Sequence, residues 1–380
     1  MAPALLLSDF DLLGPLGHGS FSSVHLARSR ACGSLYALKA TSKREALERG
    51  QVERVWTELS VLRAVRHPFI AQLHAAFQSE SHLYLLLRLY AGPADGRGGL
   101  GGGAPGWAGG MAGGGGDLFS VLRVEGALPL ARARLYAAEL VLALETLHAH
   151  NIAYRDLKPE NCLLDASAHL VLSDFGLARE RVSSLVGGAR SIVGSPAYMA
   201  PELLLGRGHG LAVDWWGCGV LVFEMLAGRS PYEGIDSTAS DEMDPLSSSL
   251  SSSLSSSLSP SLSSSLSSSH GRDPPSRIDP SSHGTDPSSR IDPSSPAQLI
   301  ASILNAPLRF PAHNFPRAAR QLVRALLQRD PEVRLGAADR LGRSTLRRHP
   351  FFNPLDFGRV LARDYSPVRL PSEGGVGGVG

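Results

Sequence analysis

Two acidic residues, a lysine and an asparagine lie close together near the middle of the sequence, and their types suit the chemistry of phosphate groups. Asp156, Lys158 and Asn161 lie within six residues, and Asp174 follows thirteen residues later. A carboxylate can orient a hydroxyl nucleophile, and a lysine can neutralise charge on a phosphoryl group. Carboxylate and amide oxygens bind Mg²⁺. The spacing predicts phosphoryl transfer to a hydroxyl, with Asp156 and Lys158 as catalytic residues and Asn161 and Asp174 as metal ligands.

A glycine-rich turn and a lysine near the N-terminus could hold the phosphates. Gly17 and Gly19 begin a run of small residues that ends at Val24. Small residues let backbone N–H groups approach phosphate oxygens closely, although an ordinary glycine hairpin has the same appearance. Lys39 ends the next predicted strand, and Glu58 on the following helix can form an ion pair with it. The alternative is a solvated lysine with an unrelated helix glutamate.

The pattern of apolar residues predicts the elements that position these groups. Alternation over about 8–40 predicts strands, and the apolar run Leu83 to Leu89 predicts a buried strand. Apolar residues at three- and four-residue steps predict helices over about 44–65, 130–150 and 212–227.

Two low-complexity stretches interrupt this pattern. Glycine and alanine dominate 91–116, which we expect to be a flexible loop. Ser-Ser-Ser-Leu units and Asp-Pro-Ser-Ser repeats fill 236–295. The four-residue leucine spacing could form a helical stripe, but serine is a mediocre helix former and Pro260 interrupts the run. Composition therefore favours a disordered insert over a helix.

Bulk composition excludes several classes of protein. The chain has 380 residues, 43% of them hydrophobic, and a formal net charge of +2. This charge gives no argument for binding nucleic acid or a membrane surface, and no apolar run is long enough to span a bilayer. The three cysteines are widely spaced, which is typical of reduced thiols. We expect a protein of the cytoplasm or the nucleus.

The strings around the candidate catalytic residues resemble those of protein kinases. Tyr154–Asn161 is similar to the kinase catalytic loop, and Asp174-Phe175-Gly176 to the metal-binding turn that follows it. The strings at 66–69, 214–216 and 349–352 are similar to the AGC group of serine/threonine kinases, which includes protein kinase A and protein kinase B.

The resemblance covers about 9–235 and 296–365 and implies a bilobal α+β fold. Its small lobe is mainly antiparallel β-sheet with one key helix, and its larger lobe is mainly α-helical. The resemblance divides the chain into a small lobe and hinge (1–90), a Gly-rich insert (91–116), the large lobe (117–235), a Ser-rich insert (236–295), the rest of the large lobe (296–352) and a truncated C-terminal tail (353–380).

The resemblance implies ATP and Mg²⁺ as cofactors and protein serine or threonine residues as phosphate acceptors. The residues that it assigns to ATP binding are Gly17, Gly19, Val24, Ala37, Lys39, Leu87, Asp117 and Leu163. It makes Glu58 the ion-pair partner of Lys39, and it makes Asp214 the anchor of the catalytic-loop backbone. It joins the lobes through an apolar spine of Leu62, Leu73, Tyr154 and Phe175, and it pairs Glu202 with Arg334.

The resemblance also implies a preference among substrates. Asp117, Glu160 and Glu224 correspond to acidic positions that bind arginines ahead of the acceptor. Carboxylates pair bidentately with guanidinium groups, so we expect a preference for Arg-x-x-Ser/Thr peptides.

Ser191 corresponds to the activation-loop phosphorylation site of the group. Its phosphate would be held by Arg54, Arg155 and Arg179, with an upstream kinase as the activating partner. The alternative is an ordinary loop serine.

Two departures from the family pattern keep a second function open. Ser22 occupies the position of the third glycine of the phosphate-binding turn, and the Phe-x-x-Phe motif of the group's tail is absent from this sequence. A partner could supply that motif in trans. The alternative to an active kinase is a pseudokinase, an ATP-binding scaffold without turnover.

Overall fold

The computed structural model describes residues 5–19, 22–92, 116–182, 193–232, 242–243, 296–311, 315–337 and 345–368. Of the predicted Gly-rich insert, only residues 91, 92 and 116 are among them, and of the predicted Ser-rich insert only residues 242 and 243. Among the described residues, no helix is long and apolar enough to cross a membrane.

A five-stranded antiparallel sheet forms the small lobe. Its strands are β1 (Phe10–His18), β2 (Ser22–Ser29), β3 (Leu35–Ser42), β4 (Leu73–Gln78) and β5 (His82–Arg88). The spatial order is β1-β2-β3-β5-β4, so only β4 and β5 exchange places relative to the sequence. Phe10, Ala27, Leu38, Tyr84 and Leu86 form a separate small core on this sheet. The predicted strands are confirmed.

Two helices follow β3, whereas the sequence predicted a single helix over 44–65. The prediction of one continuous helix was therefore wrong. The helices are α1 (Lys43–Glu48) and α2 (Val52–Ala64). Gly50 lies between them with a φ of 62°. This left-handed conformation costs glycine little and ends a helix. The apolar residues at helical spacing, between Val52 and Leu62, all lie in α2, so the periodicity gave no information about the break.

The larger lobe is mainly helical. Its helices are α3 (Leu118–Glu125), α4 (Leu130–Ala149), α5 (Pro201–Leu204), α6 (Ala212–Ala227), α7 (Pro296–Asn305), α8 (Arg317–Leu326) and α9 (Phe357–Leu361). Helices α4 and α6 are buried along most of their length and form the centre of the main core. The predictions of helices at 130–150 and 212–227 are confirmed, and so is the bilobal α+β fold.

Two short hairpins complete the large lobe. Strands β6 (Cys162–Leu164) and β7 (Leu170–Leu172) pair next to the catalytic loop. Strand β8 (Glu242–Met243) pairs with β9 (Arg309–Phe310). Strand β8 falls inside the segment predicted as a disordered insert, so at least these two residues belong to the fold.

Candidate active site

A buried ion pair joins the sheet to helix α2. Lys39 Nζ, on β3, lies 2.6 Å from Glu58 Oε1 and 2.8 Å from Oε2. The same ammonium lies 3.5 Å from Asp174 Oδ1. Burial would by itself lower the pKa of Lys39, but the carboxylates of Asp174 and Glu58 outweigh burial and raise the pKa above its ordinary value. The lysine is therefore held as a cation in front of α2, as predicted.

The charge of the same lysine affects the ionisation of Asp174. The Lys39 ammonium lowers the pKa of Asp174, against the opposing effect of burial. The Asp174 side chain is nevertheless 50% exposed, and its Oδ1 accepts a hydrogen bond from Gly176 N at 3.3 Å. An ionised carboxylate that faces open space is available to a cation.

The backbone of the catalytic loop is held by one buried carboxylate. Asp214, on α6, accepts hydrogen bonds from Tyr154 N through Oδ2 and from Arg155 N through Oδ1, both at 2.8 Å. His148 Nε2 also lies 2.8 Å from Asp214 Oδ2. Arg155 has a φ of 69°, an uncommon conformation for a non-glycine residue. The two hydrogen bonds to Asp214 stabilise this strained turn, and with it the position of Asp156.

The two oxygens of Asp156 have different surroundings. Oδ2 lies 2.9 Å from Lys158 Nζ and accepts a hydrogen bond from Asn161 Nδ2 at 2.9 Å. Oδ1 is buried and has no hydrogen-bond partner among the described residues. An unpaired buried oxygen costs free energy, on the order of 1–3 kcal/mol. The site therefore presents a carboxylate of fixed orientation with one oxygen left to accept a proton or a hydrogen bond.

Asn161 and Asp174 are the candidate metal ligands. Asn161 Nδ2 also donates to the Asp156 carbonyl oxygen at 2.8 Å, so the amide oxygen points away from Asp156. The described residues contain no group of three or more His, Cys, Asp or Glu side chains that could hold a metal by themselves. One carboxylate and one amide oxygen nevertheless fit Mg²⁺, which commonly takes its remaining ligands from water and substrate phosphates.

The predicted adenine-binding residues Val24, Ala37, Leu87 and Leu163 are all partly accessible. Ala37 lies opposite Leu87 in the β3–β5 pair, and Val24 lies opposite both Gly17 and Lys39. Leu163, on β6, belongs to the large lobe. In the same strands, the leucines at 26, 38, 86 and 164 are buried. The four residues therefore keep some surface that a ligand could contact, and adenine binding stays a prediction.

The phosphate-binding turn is described only in part. Gly17 and Gly19 lie at the end of β1, where the Gly19 N–H donates to the Ser22 carbonyl oxygen at 2.7 Å. Residues 20 and 21, at the tip of the turn, lie outside the described residues.

The apolar spine predicted between the lobes lies within one continuous core. The rings of Tyr154 and Phe175 meet edge to face, with centroids 5.5 Å apart. Leu62 is buried in the same core and Leu73 packs against it.

The three acidic residues predicted to bind substrate arginines have different environments. Asp117 is 9% exposed, and its Oδ1 caps α3 by accepting a hydrogen bond from Ser120 N at 2.7 Å. Glu224 Oε2 accepts a hydrogen bond from the hydroxyl of Tyr198 at 2.6 Å. Glu160 is exposed. Substrate recognition by these residues stays a prediction.

Ser191 lies outside the described residues, but the arginines expected around it form a group. The pKa of Arg155 is lowered to about 10, mainly by burial and also by the charges of Arg179 and Arg54, against the raising effect of Asp214. Arg179 Nη1 donates to Glu53 Oε1 at 3.1 Å, and Arg54 is exposed. Three neighbouring cations at the activation segment are suited to bind an anion.

Sequence reasoning missed two residues at this site. Gly194 has a φ of 110°, and a Cβ atom there would lie 2.7 Å from the Arg155 carbonyl oxygen. His209 is buried, and its Nε2 lies 3.3 Å from Arg155 Nη1. The string around Gly194 was recognised, but nothing local indicates that its backbone lies against the catalytic loop. No sequence signal indicated His209.

This fold and site define a protein kinase domain. The family described as protein kinase domain matches residues 10–96 and 111–352. The chain therefore belongs to this family. The gap in the match falls within the predicted Gly-rich insert.

Curated relatives agree with the predicted group. The chain is 40% identical over 236 residues to "Protein kinase 3" of Dictyostelium discoideum. The aligned residues cover 60% of this chain and 23% of that protein. It is 34% identical over 370 residues to "Serine/threonine protein kinase ypkA" of Aspergillus fumigatus, covering 97% of this chain and 45% of the relative.

A third relative covers a similar range. "Serine/threonine-protein kinase gad8" of Schizosaccharomyces pombe is 33% identical over 370 residues, covering 97% of this chain and 49% of the relative. The chain thus spans less than half the length of these three relatives. The relatives that match most of this chain are AGC-group kinases, and this confirms the predicted resemblance.

Proposed function

We propose that the chain is a protein serine/threonine kinase that transfers the γ-phosphoryl group of Mg·ATP to hydroxyls of protein substrates. The observation that carries this proposal is the state of Asp156. One of its oxygens is held by Lys158 and Asn161, while the other is buried without a partner among the described residues. Lys39, predicted to bind phosphates, and Asp174, predicted to bind the metal, lie 3.5 Å apart.

The residues of the chain have distinct roles in this reaction. Asp156 Oδ1 accepts a hydrogen bond from the substrate hydroxyl, orients it towards the γ-phosphorus and receives its proton as the new O–P bond forms. The bond from the γ-phosphorus to the oxygen shared with the β-phosphate breaks in the same transfer, and ADP is the leaving group. Lys158 neutralises charge on the phosphoryl oxygens during transfer. Lys39, held by Glu58, binds the α- and β-phosphates. Bound Mg²⁺, held by Asn161 and Asp174, would supply positive charge to the phosphate oxygens.

The charges at the site suit this assignment at neutral pH. The pKa of Lys39 is raised and that of Asp174 is lowered, so both groups stay ionised across the neutral range. A cation for the phosphates and an anion for the metal are therefore present before any ligand binds.

The substrate class follows from the acidic residues near the cleft. Exposed Glu160 presents its carboxylate to an arginine of the substrate, and Glu224 and Asp117 would add their negative charge. We expect peptides of the form Arg-x-x-Ser/Thr. Protein substrates of this kind, an upstream kinase that modifies Ser191, and a location in the cytoplasm or nucleus complete the proposal.

The test is transfer of ³²P from ATP to a serine peptide with arginine three residues before the acceptor, after treatment with an upstream AGC-activating kinase. We expect transfer by the wild type and a fall of at least about 100-fold in Asp156→Asn and in Asp174→Asn. Glu332→Gln, which changes an exposed carboxylate on the large lobe, is the matched control and should retain activity.

Two further measurements separate the alternatives. ATP binding without transfer by the wild type would indicate the pseudokinase scaffold, and equal labelling by wild type and Asp174→Asn would contradict the metal role. A second peptide with alanine in place of the arginine should have a lower kcat/KM, by about tenfold. No difference between the peptides would rule out the arginine preference and leave the kinase activity intact.

A further inference from the structure

Two side-chain contacts join helix α2 to the segment that follows Asp174. Ser60 Oγ donates a hydrogen bond to Glu180 Oε1 at 2.8 Å, and Arg179 Nη1 donates to Glu53 Oε1 at 3.1 Å. Glu53 and Ser60 are seven residues apart, so they lie on the same side of α2 and two turns from each other. Consecutive residues of one segment therefore contact a single stripe of the helix.

The two contacts differ in their exposure to water. Arg179 and Glu53 are 50% and 82% exposed, and an exposed ion pair of this kind contributes little because water and salt screen it. Ser60 and Glu180 are both partly buried. A hydroxyl that donates to a carboxylate in a sheltered position forms a stronger, charge-assisted hydrogen bond. The Ser60–Glu180 contact is therefore the one that restrains α2.

The backbone on the Glu180 side is fixed to the catalytic loop. Ala153 N donates to the Arg179 carbonyl oxygen at 2.9 Å, and Arg179 N donates to the Ala153 carbonyl oxygen at 2.8 Å. Val182 N donates to the Asn151 carbonyl oxygen at 2.9 Å. Ala153 directly precedes the catalytic loop, so Glu180 is attached to the same rigid backbone that supports Asp156.

The other end of the contact lies next to the ion pair of the small lobe. Ser60 follows Glu58 by two residues on α2, and the Glu58 carboxylate accepts two hydrogen bonds from Lys39. A helix moves as a unit over so short a distance. A displacement of α2 that broke the contact of Ser60 with Glu180 would therefore also move Glu58 away from Lys39.

We propose that Ser60 and Glu180 are positioning residues, which hold α2 in the arrangement that pairs Glu58 with Lys39. This inference rests on the proposed kinase function and adds two residues to it. The hydrogen bond is made when α2 lies against the segment, so it favours that arrangement over displaced ones in proportion to its strength. Neither residue is among those predicted to bind ATP or substrate.

The test is a double-mutant cycle with Ser60→Ala, Glu180→Ala and the combined variant. Each single change should lower kcat/KM for ATP by on the order of tenfold, and the combined variant should be no worse than either, because all three lack the same contact. Ser60→Thr keeps a hydroxyl and should retain activity. Thr57→Ala, on the same helix and without a side-chain hydrogen bond among the described residues, is the matched control.

Hydrogen exchange tests the contact without any activity. In nucleotide-free protein, amides of residues 52–64 should exchange faster in Ser60→Ala than in wild type or Thr57→Ala, while those of β5 should not change. If the wild type transfers no phosphate, the kinase proposal fails and this measurement still decides the role of Ser60. Unchanged exchange of α2 in Ser60→Ala, or additive losses of activity in the cycle, would overturn the inference.

Discussion

At the scale of single residues, the candidate site is defined by which atoms are already engaged. Lys158 and Asn161 contact one oxygen of Asp156 and leave the other without a partner among the described residues. The roles of these residues were predicted from the sequence, because all three lie in one short string. It could not predict which oxygen is available, because that depends on rotamers set by neighbouring side chains.

Gly194 provides a prediction at this scale. Gly194→Ala should lower kcat by roughly tenfold or more, because its Cβ would lie 2.7 Å from the Arg155 carbonyl oxygen and push the catalytic loop. The measurement is steady-state kinetics on an arginine-containing peptide, with thermal unfolding in parallel.

A second glycine separates backbone strain from displacement of the loop. Gly33 also has a positive φ, of 71°, but a Cβ there would have nothing within 4 Å. Gly33→Ala should therefore cost stability, about 1 kcal/mol, without a change in kcat. Equal kinetics for the two alanine variants would show that the close approach of Gly194 to Arg155 has no role.

At the scale of elements, the two central helices of the large lobe were predictable, whereas a break within a predicted helix of the small lobe was not. The helix predicted at 212–227 is α6, which begins and ends at those residues. The helix predicted at 44–65 is two helices, since Gly50 adopts a left-handed conformation. The apolar residues that predicted this helix all lie in α2, so periodicity could not show where the helix begins.

The prediction at this scale concerns the activation segment, the stretch between Asp174 and Glu202 that contains Ser191. Ser191→Ala should lower activity by about tenfold after treatment with an upstream kinase, because the cations of Arg54, Arg155 and Arg179 then lack the phosphate, of about −2 charge, that would bring them together. Activity and phosphate occupancy, by mass spectrometry, would be measured together. Ser184→Ala in the same segment is the control. Full activity of Ser191→Ala, or the absence of phosphate at Ser191 in treated wild type, would contradict activation by phosphorylation of Ser191.

At the scale of the whole molecule, a buried ion pair between Glu202 and Arg334 joins distant parts of the large lobe. Arg334 Nη1 and Nη2 donate to Glu202 Oε1 and Oε2 at 2.7 and 2.9 Å, and Nη1 also donates to the Ala212 carbonyl oxygen at 2.8 Å. The guanidinium lies over the ring of Trp216, 5.3 Å from its centroid. This bidentate geometry confirms the predicted pair and joins α5, α6 and the segment before residue 337.

The prediction at this scale concerns stability. Arg334→Met should lower the free energy of unfolding by about 3–5 kcal/mol, because it leaves the Glu202 carboxylate buried without its cation. Replacing both residues, with Glu202→Leu, should recover part of the loss. Urea or thermal unfolding of the three proteins is the measurement. A single variant as stable as the wild type would show that the pair is not needed to hold the segment.

The sequence by itself determined the family, part of the small-lobe sheet, the two central helices of the large lobe, and the residues at which phosphate chemistry is expected. These depend on local spacing, such as the six residues from Asp156 to Asn161. Only the tertiary structure decided which distant groups meet. Ser60 and Glu180 are 120 residues apart, and Glu202 and Arg334 are 132 apart. Such contacts depend on the path of the whole chain and on the burial of both partners, and neither is encoded in a short window of residues.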